Sequence, residues 1–195
     1  MSSLGPVHPF MVWNLYLAAI PAVLALVLFR SPRVTPVWGL GFVAWLLFLP
    51  NAPYVLTDVV HMVDDLRAST GGRDSYEILF TYAVLFGCGL CSYVLSLQLF
   101  RRFLHRVAPR RTTLPALLAL HGLCVVAIYL GRFMRFNSWD AVSEPGAVLG
   151  SVLRVPHPTT VAVLVGMFVV VGFGACVTAA AGAKAYAQLR RVFVR

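Results

Sequence analysis

Long apolar runs recur along the whole chain, each of about 20 residues and separated by short polar stretches. Hydrophobic residues make up 59% of the sequence, and only 12% of the residues are charged. A water-soluble domain of this size could not cover so much apolar surface, whereas a lipid bilayer accommodates it. The sequence therefore predicts an all-α fold: a single polytopic bundle of transmembrane helices over residues 1–195.

The placement of charge predicts how the helices cross the bilayer. The expected spans cover residues 10–29, 37–65, 77–100, 114–136 and 159–181. With the amino terminus outside, the inner segments hold 11 of the 16 Lys and Arg residues and none of the 7 acids. Positive residues favour the cytoplasmic side, so we expect a cytoplasmic carboxyl terminus. Topology also accounts for the net charge of +9, and no nucleic-acid partner is expected.

The second span is interrupted by two prolines. Its first apolar segment, from Val37 to Leu49, gives about 20 Å of helix, too short for a hydrocarbon core of about 30 Å. Pro50 and Pro53 then break the pattern, and Asn51 suits the N-cap of a new helix. We predict a helix broken near residues 50–53, a feature that often borders a binding site. A simple proline kink is the alternative.

Polar side chains follow the break at helical spacing. Asn51, Tyr54, Asp58, His61 and Asp65 are three or four residues apart, which places them on one helix face. On the predicted topology this ladder of residues reaches the outer side of the membrane.

A second polar cluster ends the fourth span on the same predicted side. Arg132 and Arg135 are three residues apart, and Asn137, Trp139 and Asp140 follow. Ionisable groups at membrane depth usually face the bundle interior or a wet cavity. We therefore expect an outward-facing polar pocket between the second and fourth spans. The alternative is a structural ion pair, Asp58–Arg132 or Asp140–Arg135, that only holds helix ends together.

The residue types in this pocket suggest roles. A carboxylate and an imidazole one turn apart can act as acid–base partners or bind a metal. Arginines beside aromatic rings suit an anionic headgroup. The candidate catalytic residues are Asp58, His61 and Asp140, and the candidate substrate-binding residues are Asn51, Tyr54, Arg132, Arg135, Asn137 and Trp139. A metal would need further ligands from Asp65, Asp140 or His157, so metal and cofactor stay unassigned.

Other stretches carry weaker signals. Residues 64–75 and 101–111 are predicted to be loops, and residues 147–155 a short helix lying in the membrane interface. His121, in the fourth span, is expected to be a hydrogen-bonded interior residue, with a proton relay as the alternative.

Two motifs resemble the signatures of a known family. They are Phe48-Leu-Pro-Asn-Ala-Pro-Tyr-Val-Leu-Thr-Asp-Val-Val-His61 and Gly131-Arg-Phe-Met-Arg-Phe-Asn-Ser-Trp-Asp140, together with Trp13-Asn14. They resemble a bacterial integral-membrane family, the domain of unknown function 1361, over nearly the whole chain. The resemblance implies a multi-pass protein of the bacterial plasma membrane and carries over no catalytic role.

Three functions are compatible with this pattern. The first is a site for a lipid-linked or anionic substrate, enzymatic or not, with membrane lipid as a partner. The second is a small transporter or channel, which would need a homo-oligomer because five spans are few for one transport path. The third is a non-catalytic accessory or assembly protein.

Overall fold

A computed structural model of the chain describes residues 8–69, 71–136, 140–153 and 158–193. Throughout those ranges the regular structure is helical. The longer helices are α1 (Pro9–Leu28), α2 (Pro36–Phe48), α4 (Val59–Ala68), α5 (Gly72–Val107), α6 (Thr113–Phe133), α8 (Pro145–Leu153) and α9 (Pro158–Phe193). The four-residue helices α3 (Asn51–Tyr54) and α7 (Asp140–Ser143) and the 3₁₀ turns Val55–Asp58 and Arg110–Thr112 complete the set.

Five helical segments in the described chain are long and apolar enough to cross a membrane. They are Pro9–Leu28, Pro36–Ala68, Gly72–Val107, Arg110–Phe133 and Pro158–Lys184. The predicted all-α bundle with five spans is confirmed. The direction in which the chain crosses the bilayer stays a prediction, as does the interfacial position of α8.

The helix α5 is longer than the apolar pattern predicted. With 36 residues it extends for about 54 Å, well beyond a hydrocarbon core of about 30 Å. It takes in Asp74 at its start and Arg106 near its end, and α4 continues to Ala68. The loops predicted at residues 64–75 and 101–111 are therefore largely helical. Hydropathy indicates where a helix leaves the hydrocarbon core, and the helix itself can continue beyond that point.

The second span is broken at the position where Pro50 and Pro53 predicted a break. The helix α2 ends at Phe48, and the chain resumes through α3 and a 3₁₀ turn before α4. Asn51 is the first residue of α3 and not its N-cap, and its side-chain amide donates to the Phe48 carbonyl at 3.1 Å. A side chain thus satisfies one carbonyl that the break leaves without a helical partner.

The break lies directly against α5 at Gly89. A Cβ atom added there would be 2.5 Å from the Ala52 carbonyl oxygen and 2.3 Å from Cγ2 of Val55. Ala52 and Val55 are both fully buried. The helix α3 and the 3₁₀ turn that follows it, residues 51–58, are here called the broken segment. The absence of a side chain at Gly89 sets how closely the broken segment approaches α5.

The helix α9 packs on α5 and α6 through a buried histidine. The His121 Nε2 lies 3.0 Å from the Phe168 carbonyl oxygen, and Nδ1 lies 2.8 Å from the Tyr93 hydroxyl. Because a carbonyl only accepts, Nε2 carries a proton, and Nδ1 forms the second hydrogen bond with the Tyr93 hydroxyl. The expectation of a hydrogen-bonded interior histidine is confirmed.

One end of the bundle, here called the basic end, joins the carboxyl end of α1 to that of α5. The Arg106 guanidinium donates to the carbonyls of Phe29 and, at 3.1 Å, of Arg30. Trp38 Nε1 donates to the Leu28 carbonyl at 3.0 Å. These contacts satisfy carbonyls that the end of a helix leaves open, and they place a cation at its negative pole.

We expect R106A to lower the free energy of unfolding by about 1–2 kcal/mol, because two charge-assisted hydrogen bonds are lost. Unfolding of the purified protein in detergent would measure the change. R102A, an exposed arginine on the same helix, is the control and should have a much smaller effect. Equal effects of the two substitutions would contradict a capping role.

Candidate functional site

A cavity of about 680 Å³ opens between α1, the end of α2, the broken segment, α6 and α8. Most of its wall is apolar and includes Leu46, Leu123, Val126, Ala127 and Val148. Its polar residues include Asn14, Asn51, Tyr54 and Arg135. This volume is typical of a ligand site, and so is the combination of an apolar wall with a few polar groups.

Arg135 enters the cavity wall from a strained backbone. Its φ is 60°, the sole positive value for a non-glycine residue in the part of the chain that the structure describes. The Phe136 and Met134 amides both donate to the Leu130 carbonyl, at 3.2 and 3.1 Å, which ends α6 with a tight turn. Glycine is usual at such a position, and a larger residue costs about 1–2 kcal/mol. Strain of this kind often accompanies function.

Asp58 is not part of the cavity wall and is held by side chains of two other helices. Its side chain is 2% exposed. Asn14 Nδ2 donates to Oδ2 at 2.8 Å, and Arg132 Nη1 lies 3.8 Å from Oδ1. The Asp58–Arg132 ion pair considered from the sequence is thus present. Neither residue is part of the cavity wall, and their catalytic and substrate-binding roles stay predictions.

The remainder of the ladder points to other partners. The Tyr82 hydroxyl donates to Asp65 Oδ2 at 2.8 Å, and His8 Nε2 lies 3.2 Å from the same oxygen. The His61 ring packs against Phe10 with centroids 5.0 Å apart. The side chains on this helix face therefore have different surroundings. Those at its start line the cavity, and those further along the chain contact α1, α5 and α6.

Of the remaining candidate residues, Asp140 lies in the described part of the chain. Asp140 begins α7, where its carbonyl accepts from the Glu144 amide at 2.8 Å. Asn137, Trp139 and His157 lie outside the described residues. Within the described ranges no three His, Cys, Asp or Glu side chains are grouped so that they would hold a metal.

A family model described as "Protein of unknown function (DUF1361)" matches residues 13–173. The chain belongs to this family. No curated protein and no solved structure matches the chain. The DUF1361 match contains all the cavity residues named above, from Asn14 to Val148, so the cavity lies wholly within the region that defines the family.

The apolar wall of this DUF1361 cavity was not found from the sequence. Leu46, Leu123 and Val126 sit in long apolar runs, where a residue facing a cavity has the same character as one facing lipid or the core. Val148 lies on α8, which the sequence predicts only as a short helix in the membrane interface. The sequence therefore identified polar candidates and missed the part of the site that would hold an apolar ligand.

Proposed function

We propose that this DUF1361 protein binds a lipid-linked or anionic membrane ligand in the cavity at its broken helix. The observation that carries the proposal is the composition of one continuous cavity, whose apolar wall leads to Asn14, Asn51, Tyr54 and Arg135. An apolar wall suits hydrocarbon, and a guanidinium suits an anionic group. An amphipathic ligand is the class of molecule that satisfies both parts.

The length of the cavity supports a ligand held in one leaflet. Its wall on α6 runs from Leu123 to Gly131, which is about 12 Å of helix. Half of a hydrocarbon core of about 30 Å is about 15 Å. A lipid chain in a single leaflet would therefore lie along most of this wall. On the predicted topology that leaflet is the outer one.

The contacts of Asp58 favour ligand binding over acid–base chemistry as the first function to test. Its two carboxylate oxygens already face Asn14 and Arg132, at 2.8 and 3.8 Å. A carboxylate so engaged serves most directly to hold α1, the broken segment and α6 together. Catalysis by Asp58 and His61 would need a rearrangement that frees the carboxylate.

The transporter alternative is less well supported. An aromatic cluster fills the basic end of the bundle, where Phe29 packs edge-on against Trp45 with centroids 4.9 Å apart. Its other members are Trp38, Phe42, Phe100 and Phe103. Transport through a monomer would have to displace this cluster. In the described part of the chain, no contact specifically favours the accessory role.

We expect R135G to lose the bound ligand while the protein stays folded. Glycine adopts a φ near 60° without strain, so the free energy of unfolding should stay constant or rise by about 1 kcal/mol. Retention of anionic lipid should fall at least about tenfold, the effect of about 1.4 kcal/mol. Native mass spectrometry and thermal unfolding in detergent would measure the two quantities.

The matched control is R73G, which removes an exposed arginine at the start of α5. Its side chain is 89% exposed and lies outside the cavity. Lipid retention by R73G should equal that of the unmodified protein. Unchanged retention by R135G would overturn the proposed function.

A further inference from the structure

We infer that the ligand carries a phosphodiester together with a hydroxyl or ammonium hydrogen-bond donor on the same headgroup. The inference rests on the proposed lipid-binding function and specifies the chemistry of its polar end. It follows from two features of the cavity: its charge and the orientation of one amide.

The described residues that line the cavity present a single positive charge. Among the described residues that line it, Arg135 is the one with an ionic side chain. Arg132, one turn earlier, is matched by the carboxylate of Asp58 at 3.8 Å and lies outside the wall. One guanidinium with two parallel N–H donors matches one phosphate group that carries one negative charge.

The amide of Asn14 has a fixed orientation. Its Nδ2 donates to Asp58 Oδ2 at 2.8 Å, and a carboxylate in an ion pair only accepts. The opposite assignment would set two acceptors against each other. The Oδ1 atom of Asn14, a cavity-lining residue, is therefore the acceptor that is left for a ligand. In a bilayer an acceptor of this kind gains most from a donor on the ligand itself, because water is scarce there.

These two requirements separate the common lipid classes. A fatty acid supplies an anion without a donor at neutral pH. A phosphodiester whose headgroup ends in a trimethylated ammonium likewise has no donor. A phosphodiester that bears hydroxyls or a primary ammonium offers the phosphate to Arg135 and a donor to Asn14. In this arrangement Asp58 is a positioning residue, because it orients the Asn14 amide and keeps the charge of Arg132 matched.

The test uses the full chain in detergent with three lipids as probes, followed by native mass spectrometry. Phosphatidylethanolamine and phosphatidylcholine share the phosphodiester and the net charge and differ in donors. Phosphatidylglycerol adds hydroxyl donors and a net negative charge. We expect phosphatidylethanolamine and phosphatidylglycerol each to be retained about fivefold more than phosphatidylcholine, the size of one net hydrogen bond.

The variant N14A isolates the donor contact. It should abolish the preference for phosphatidylethanolamine over phosphatidylcholine, measured as the ratio of the two lipids retained by the same sample. Thermal unfolding of the variant in detergent separately reports that it is folded. Equal retention of the three lipids by the unmodified protein would overturn the headgroup inference and leave lipid binding standing. Retention of none of them would overturn the proposed function as well.

Discussion

Replacing Asp58 by alanine is expected to lower the free energy of unfolding by about 2–3 kcal/mol, because a partly buried charge and an amide donor both lose their partner. The Arg132 guanidinium, 24% exposed, would lose the carboxylate that lies 3.8 Å away. The Asn14 amide would lose its acceptor at the same time. Unfolding of the purified variant in detergent, with membrane yield as a second readout, would measure the loss.

The double variant D58A/R132A separates pairing from other roles of Asp58. Removing both charges leaves no unmatched ion, so the double variant should be at least about 1 kcal/mol more stable than D58A. R67A is the control, since the side chain of Arg67 is 78% exposed in its pair with Asp64 and should matter little. If D58A proves as stable as the unmodified protein, the ion pair does not hold the helices together.

Replacing Gly89 by alanine is the second substitution with a large expected effect. The new Cβ would sit 2.5 Å from the Ala52 carbonyl oxygen, and a backbone atom cannot turn aside as a side chain can. The broken segment would have to move away from α5. We expect a loss of about 1–3 kcal/mol in the free energy of unfolding. Ligand retention should also fall, because Asn51 and Tyr54 of that segment line the cavity.

Gly87 provides a matched control on the same helix. A Cβ at that position would meet nothing within 4 Å, so G87A should be neutral or stabilising by about 0.5–1 kcal/mol. Unfolding curves of the two variants, collected side by side, test the close approach directly. Similar curves for G89A and G87A would show that the broken segment is not confined by α5.

The two predictions concern the same part of the molecule. Asp58 connects the 3₁₀ turn to α1 and α6 through its contacts with Asn14 and Arg132. Gly89 allows the preceding turn of backbone, at Ala52, to pack closely against α5. The break is thus fixed on three sides by contacts that are distant in sequence. A cavity at a helix break keeps its shape only when such contacts replace the helical hydrogen bonds that the prolines remove.

The sequence by itself determined the five membrane-spanning segments and the position of the break. Each of these depends on local properties, because a bilayer requires apolar segments of a set length and a proline cannot donate to its own helix. The family was also visible in the sequence, through motifs that lie on the break and at the end of α6. The orientation in the membrane rests on the charge count alone and stays a prediction.

Only the tertiary structure decided what the polar residues face. Asp58 pairs with Asn14, which is 44 positions away in the chain, and Asp65 with Tyr82 on α5. Helical spacing fixes which residues share a face, but the partner of that face depends on how separate helices pack. The apolar wall and the strained backbone of Arg135 also appear only once α6 lies against the break. The sequence predicted one polar pocket, whereas the structure has an ion pair, Asp58–Arg132, next to a largely apolar cavity.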